Sequence, residues 1–340
     1  MPFHPSHVSV PGAPGDRALS GPSWSGAVLC GIALAALFGS STSSQQAVAG
    51  ALGTATLLAD DGGAPAPTNP LGDLVVDYGP LGLWLNANPL GPTPTWTNFH
   101  PGNPLHVATA NLDGNDTAEI VANFPAAGIW VFWNGAQWLP LHVANASEVT
   151  VGDLDGNGID ELVFDFQGLG VYALYNNTLW LRIFYLDSVG LATGNLDHDA
   201  GNRDELVINF PGSGVWAWTN NTHWVPVHPL NVSNLEIADF DGDGSDDVVL
   251  DFPGKGLWLR TGNGALWTQV HPRNSALMSV GNIDGDPGGQ ADAVVDFEGF
   301  GVWAFLNRTL WTQLHPVDPT RIVTLDLDSS GRADVVMNFA

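Results

Sequence analysis

At seven regularly spaced places in this chain an acidic or amide residue stands directly before an aromatic one: Asp77-Tyr78, Asn123-Phe124, Asp165-Phe166, Asn209-Phe210, Asp251-Phe252, Asp296-Phe297 and Asn338-Phe339. Successive doublets lie 42 to 46 residues apart. That period matches a four-stranded propeller blade. One such unit cannot bury both of its faces by itself, whereas stacking units around an axis buries them all.

Local punctuation divides each unit into four strands. Strand one is a β-branched run such as Glu148 to Leu154, and an Asp-rich loop leads from it to strand two, Glu161 to Phe166. A Gly-x-Gly turn (Gly168 and Gly170, Gly254 and Gly256) opens strand three, which carries Tyr172 or a Trp. An Asn-Gly or Asn-Asn pair (Asn134-Gly135, Asn176-Asn177, Asn220-Asn221, Asn263-Gly264) then turns the chain into strand four, because these residues tolerate the positive φ of a two-residue hairpin. No stretch of the repeat shows helical periodicity. The expectation is an all-β propeller over residues 50–340 with about seven blades. The segment Thr54 to Gly63 aligns with Ile322 to Gly331, so it reads as the inner strand of the first blade. The last blade is expected to hold only two strands, with a six-bladed ring as the alternative.

Residues 1–49 read as a signal peptide or N-terminal hydrophobic segment. The apolar run Ala27 to Phe38 is short for a bilayer span, and Ala47-Val48-Ala49 offers a small-x-small cleavage pattern. The expected location is therefore secreted or cell-surface, with no membrane insertion after cleavage; a retained anchor is the competing reading. Cys30 is the chain's one cysteine and lies inside the apolar run, so disulfides cannot brace the repeat domain. Acidic residues number 35 against 9 Lys and Arg, a net charge of −26. Such a surface repels nucleic acid and anionic lipid and attracts divalent cations.

The loops between strands one and two carry the sharpest chemistry. One reads Asp239, Asp241, Asp243, Gly244 and Asp247, and another Asp153, Asp155, Asn157, Gly158 and Glu161. Oxygen side chains at positions one, three and five, glycine at six and a carboxylate at nine can wrap a hard cation, and Ca2+ accepts six to eight such oxygens at flexible angles. Two further loops (Asn195, Asp197, Asp199, Glu205; Asn282, Asp284, Asp286, Asp292) keep the early ligands but carry an insertion before the last one. The loop Asn111, Asp113, Asn115, Glu119 has Asp116 where glycine is wanted, and the loop Asp326, Asp328, Ser330, Asp334 is poorest in charge. Each loop by itself also suits an Asx turn; their recurrence at equivalent positions argues for calcium in a structural role.

At these residues the chain resembles the FG-GAP/VCBS repeat family, the calcium-loop propellers that include the integrin α-subunit head, in a Trp-rich bacterial-type variant. The resemblance spans roughly residues 54–340, and its specific part is the loop and short apolar strand Asp239 to Leu250. It implies ligands at Asp239, Asp241, Asp243 and Asp247, and at Asp153, Asp155, Asn157 and Glu161. After strand two the chain departs from the family: Asp-Phe-x-Gly-x-Gly-Val-Trp stands where a Phe-Gly and Gly-Ala-Pro consensus belongs.

Strand four repeats a Trp with a His four residues later: Trp138/His142, Trp224/His228, Trp267/His271 and Trp311/His315, with Trp96/His100 in the first unit and Phe184 replacing His after Trp180. Residues four apart in a strand share a face, so each Trp and His are expected side by side, either packed between blades or lining a sugar cleft. No nucleophile motif, phosphate loop or zinc motif stands out, and the clustered carboxylates all sit in the cation loops. The chain therefore reads as a binding protein, not an enzyme: an interaction or adhesion module for a protein or glycan. Alternatives are a multivalent propeller lectin and a structural or filament subunit that self-associates through its C-terminal hairpin.

Overall fold

The computed structural model describes residues 74–86, 95–115, 118–199, 201, 203–262, 264–327 and 330–339. The N-terminal segment 1–49 and the expected inner strand 54–63 lie outside them. The repeat folds as an all-β six-bladed propeller followed by a two-stranded sheet. Blade 1 has three described strands, Leu74–Asp77, Leu83–Asn86 and Trp96–His100. Blade 2 has four: His106–Ala110, Glu119–Phe124, Gly128–Trp133 and Gln137–His142. Blades 3 to 6 repeat that order, with inner strands Glu148–Gly152, Leu191–Gly194, Asn234–Ala238 and Leu277–Gly281. The trailing sheet pairs Arg321–Leu325 with Asp334–Asn338.

Strand two is covered by neighbouring blades on both sides, which is why Glu161–Phe166, Glu205–Phe210 and Asp247–Phe252 are buried along their whole length. Between blades 2 and 3, Ile129 and Val131 meet Leu162 and Phe164, and between blades 5 and 6, Phe240 and Val249 meet Val295 and Phe297. Each fully buried side chain of this kind stabilises the fold by about 1.5–3 kcal/mol. The trailing sheet packs against both the first and the last blade. Its Ile322 and Val335 pack on Val294 and Val302 of blade 6, and its Val323, Leu325 and Val336 pack on Leu74 and Val76 of blade 1.

The hairpin asparagines adopt the positive φ that their residue type allows: 48° at Asn134, 47° and 56° at Asn176 and Asn177, 50° and 54° at Asn220 and Asn221. Blade 6 uses Asn307 and Arg308 at 49° and 56° for the same turn. The antiparallel order divides the ring into two ends. The acidic loops and the strand 3–4 hairpins lie at one, termed the loop end. The Gly-x-Gly turns and the connections between blades lie at the other, the turn end.

One register feature overturns the expected pairing of Trp with His. In strand four of blade 2, Pro140 opposes Trp130 but His142 opposes Ile129, so one extra residue bulges between them. The same shift recurs in each of the six blades. A bulge reverses the alternation of side chains beyond it. Trp138 therefore faces the preceding blade and His142 the following one. The bulge also explains the second glycine of each turn: a Cβ on Gly128 would lie 2.2 Å from the carbonyl oxygen of His142, at a φ of +81°.

Candidate functional site

Two loops gather three carboxylates each. Asp153, Asp155 and Glu161 in blade 3, and Asp239, Asp241 and Asp247 in blade 5, place ligand oxygens within 4.8 Å of one another. Both loops are built alike. The two oxygens of Asp153 accept the backbone N–H groups of Gly156 (2.7 Å), Asn157 (3.1 Å) and Gly158 (2.7 Å), which winds the loop around that residue. Asp239 does the same with Gly242 (2.6 Å) and Gly244 (2.9 Å). From the start of strand two, Glu161 accepts the N–H groups of Leu154 (2.9 Å) and Asp155 (3.3 Å), and Asp247 those of Phe240 (3.1 Å) and Asp241 (3.2 Å).

Like charges this close and this buried disfavour ionisation. Glu161 is pushed up to about 9 by burial and by the charges of Asp155 and Asp153. Asp247 is pushed up to about 7 by burial and by Asp241 and Asp239. A divalent cation between the carboxylates would reverse both shifts. One atom fits that role directly: Asp155 Oδ1 is buried and has no hydrogen-bond partner. The donor set, all hard oxygen, suits calcium.

The remaining expected ligands are placed differently. Asn157 and Asp243, at position five, cap the N–H groups of Ile159 (2.7 Å) and Ser245 (2.8 Å), and Asp243 stands outside the carboxylate cluster of its loop. In the loops with insertions the extra residues fold over position five. Asp199 accepts N–H groups of Gly201 and Arg203 and pairs with the Arg203 guanidinium at 3.8 Å, while Asp286 accepts the N–H of Gln290. Asn195 and Asn282 cap their own loops through His198 and Gly285. Asp197 and Asp284 are held by Asn220 and Asn307 of the strand 3–4 hairpins, and Glu205 and Asp292 keep the bonds made by Glu161.

Two groups of residues couple the loops, a role that the sequence alone did not assign to them. The residue before strand two bridges to the preceding blade. Asp204 accepts the N–H of Asp153 (3.0 Å) while its own N–H bonds the carbonyl of Asp153 (2.9 Å). Asp160 clamps Asn111 and Asp246 clamps Asn195 in the same way. Alanine at 291 and 333 keeps only the backbone half of this clamp. The signal was present as a second acidic residue beside the ninth position, but its direction across the blade boundary was not. The hairpins supply the other group. Asn176 Nδ2 donates to Asp155 Oδ2 (3.0 Å), Asn221 Nδ2 reaches the Leu154 carbonyl of the preceding blade (2.6 Å), and Arg308 lies 3.9 Å from Asp241.

The aromatic residues form a second repeated arrangement. Each strand-four His packs on the strand-two Phe and the strand-four Trp of the next blade: His100 on Phe124 and Trp138, His142 on Phe166 and Trp180, His228 on Phe252 and Trp267, His271 on Phe297 and Trp311. Phe184 takes the same place against Phe210 and Trp224, and His315 stacks on Phe339 of the trailing sheet. Nδ1 of His100, His142, His228, His271 and His315 accepts a backbone N–H two residues on, leaving the proton on Nε2. Burial lowers the pKa of His100, His228 and His271 below the ordinary histidine value. The contacts at most boundaries are those of packing. Between blades 1 and 2 they leave a cavity of about 380 Å³ lined by His100, Asn103, Phe124, Trp130 and Trp138.

The two ends of the ring differ in surface chemistry. Among the described residues, nine of fifteen exposed large apolar side chains lie at the turn end, among them Leu81, Val143, Leu169, Tyr185 and Phe300; the other six are on outer strands, three of them (Leu179, Leu266 and Leu310) just after the loop-end hairpins. Val143 is 91% exposed and Phe300 52%.

No family profile matches the sequence. Comparison with curated proteins also finds no match. Among solved structures the chain is similar to BBS1N in crystals of its complex with ARL6DN. One crystal, soaked with mercury, gives a TM-score of 0.54 at 13% identity, covering 79% of this chain and 88% of that one. A second, soaked with lead, gives 0.53 at 13%, covering 79% and 89%. Sqt1 of Saccharomyces cerevisiae aligns with a TM-score of 0.44 at 13% identity over 81% of this chain and 94% of its own. The BBS1N likeness is one of fold.

Proposed function

We propose that this chain is an exported, calcium-stabilised propeller of FG-GAP/VCBS type that acts as an interaction module and meets its partner at the turn end. The observation that carries this reading is the division of the two ends. Acidic loops that suit a structural cation occupy one, and most of the exposed large apolar side chains lie at the other. Exposed apolar surface concentrated in one region of a folded protein marks a contact surface. BBS1N, similar in fold, crystallised in complex with ARL6DN. Cation binding at Asp153, Asp155 and Glu161 and at Asp239, Asp241 and Asp247 would brace a ring that has no disulfide, and supplies no chemistry to a bound partner.

The test compares wild-type protein with the triple variant Val143→Asp, Tyr185→Asp, Phe300→Asp, both immobilised, against surface extracts of the source cells. A saturable partner retained by the wild type and lost by a variant of unchanged melting midpoint supports the reading. Equal retention by both refutes it. The cavity between blades 1 and 2 favours a second reading, a lectin, because indole faces beside an imidazole and an amide suit a sugar. Selective binding on a glycan array, removed by Trp138→Ala, would replace the first reading.

A further inference from the structure

Inner strands of neighbouring blades begin at equivalent positions, fixed by the strand-two doublet that each opposes. His106 opposes Asn123, Glu148 opposes Asp165, Asn234 opposes Asp251, Leu277 opposes Asp296 and Arg321 opposes Asn338. In blade 4 this position is Gly190, whose carbonyl bonds the N–H of Asn209. Nothing in the backbone asks for glycine there. Its φ is not in the left-handed region, and a Cβ would meet its nearest neighbours, Asn209 and Leu235, at an ordinary 3.7 Å. The inner-strand glycines at the loop end differ: a Cβ on Gly152 would lie 2.6 Å from Asp204 and one on Gly194 2.4 Å from Ile237. Those two are required by packing. Gly190 is not.

The missing side chain leaves a mostly polar cavity of about 240 Å³ at the turn end, bounded by Glu148, Val189, Gly190, Ser233, Asn234 and Leu235. Glu148 makes no hydrogen bond or ion pair there, and the charge beside it is another carboxylate, Asp165. Asn234 spends its Nδ2 on Ser275 Oγ (2.9 Å), so its oxygen stays open. The Glu148 carboxylate and the Asn234 side-chain oxygen therefore lack a donor, whereas the Asn209 oxygen in the same lining takes one from Asn231, in a chain with a net charge of −26. Val189, 52% exposed, joins the cavity to the apolar rim.

We infer that this cavity seats a lysine side chain projecting from the partner polypeptide. An ammonium group brings three donors on a flexible apolar stem, which matches carboxylate and amide oxygens reached past Val189 and Leu235. The inference rests on the turn end being the contact surface and adds what the partner must carry: one lysine within an apolar patch.

The probe is a capped pentapeptide with one central lysine between valines, and its Nε-acetylated form, titrated by NMR. The free-amine peptide binds at least tenfold more tightly than the acetylated one, and the preference shrinks with added salt. Glu148→Gln removes the preference. Gly190→Leu, which fills the cavity, removes binding of the amine peptide at an unchanged melting midpoint; if that variant does not fold, Glu148→Gln decides alone. Equal binding of both peptides, or a preference that survives Glu148→Gln, overturns the inference while leaving the apolar surface as the contact site. If neither peptide binds but the immobilised protein retains its partner, the lysine seat again falls alone. If the partner is also retained by the triple variant, the reading of the turn end falls with it.

Discussion

Asp155 separates a cation-binding role from a purely structural one, because replacing it costs much more with metal than without. Ligand linkage adds about 2.7 kcal/mol per site when free calcium exceeds the dissociation constant a hundredfold. Two three-carboxylate clusters then add about 5 kcal/mol, a rise in melting midpoint of about 10 °C for a domain of this size. Asp155→Ala removes one site and should halve that rise. Without calcium the same substitution costs little. It gives up the bond from Asn176 to Asp155 Oδ2, but it also relieves repulsion of Glu161 and an oxygen buried without a partner. The assay is differential scanning calorimetry in EGTA and in millimolar calcium, on wild type, Asp155→Ala and Asp286→Ala. Asp286 caps an inserted turn outside both clusters, so its variant keeps the full calcium response. An equal loss for Asp155→Ala in both buffers, or a wild-type midpoint indifferent to calcium, would refute the reasoning.

Three further outcomes are expected. In EGTA the midpoint should fall as pH rises from 6.5 to 8.5. Glu161 and Asp204 are each raised to about 9, Asp204 by burial and by Asp246, so the folded chain holds protons that the unfolded chain has released, at about 1.4 kcal/mol per pH unit for each group. Calcium should cancel the Glu161 part, and a flat profile in EGTA contradicts the burial of these groups. Below pH 6.5 the lowered histidines oppose this trend, because the unfolded chain binds their protons first; His228→Phe, which copies the Phe184 arrangement, should therefore gain stability relative to wild type as pH falls. Phe252→Ala should cost about 3–5 kcal/mol by chemical denaturation, and Trp267→Ala less, since Phe252 is 3% exposed and Trp267 half-buried. Deleting residues 321–340 should give oligomers by light scattering, because it uncovers Val294 and Val302 on blade 6 and Leu74 and Val76 on blade 1. A monodisperse truncation with an unshifted midpoint would show that six blades close alone.

Blade size, strand order, the positive-φ asparagine turns and the two fullest acidic loops are all legible in the sequence, because each depends on residues close together in the chain. A period of 42 to 46 residues, an Asn-Asn pair or an Asp-x-Asp-Gly run carries its geometry locally. What crosses from one blade to the next was decided by the tertiary structure. A single bulged residue in strand four turns His142 away from Trp138 and onto Phe166, and residue spacing cannot reveal a register shift set by the partner strand. Asp204 looks like one more carboxylate of its own loop, yet its oxygen closes the loop of the blade before it. Gly190 looks like an ordinary loop glycine; only the surrounding strands show that its backbone has room for a side chain and that its absence opens a cavity. Local chemistry determined the repeating unit, and the packing of units against one another determined which side chains meet.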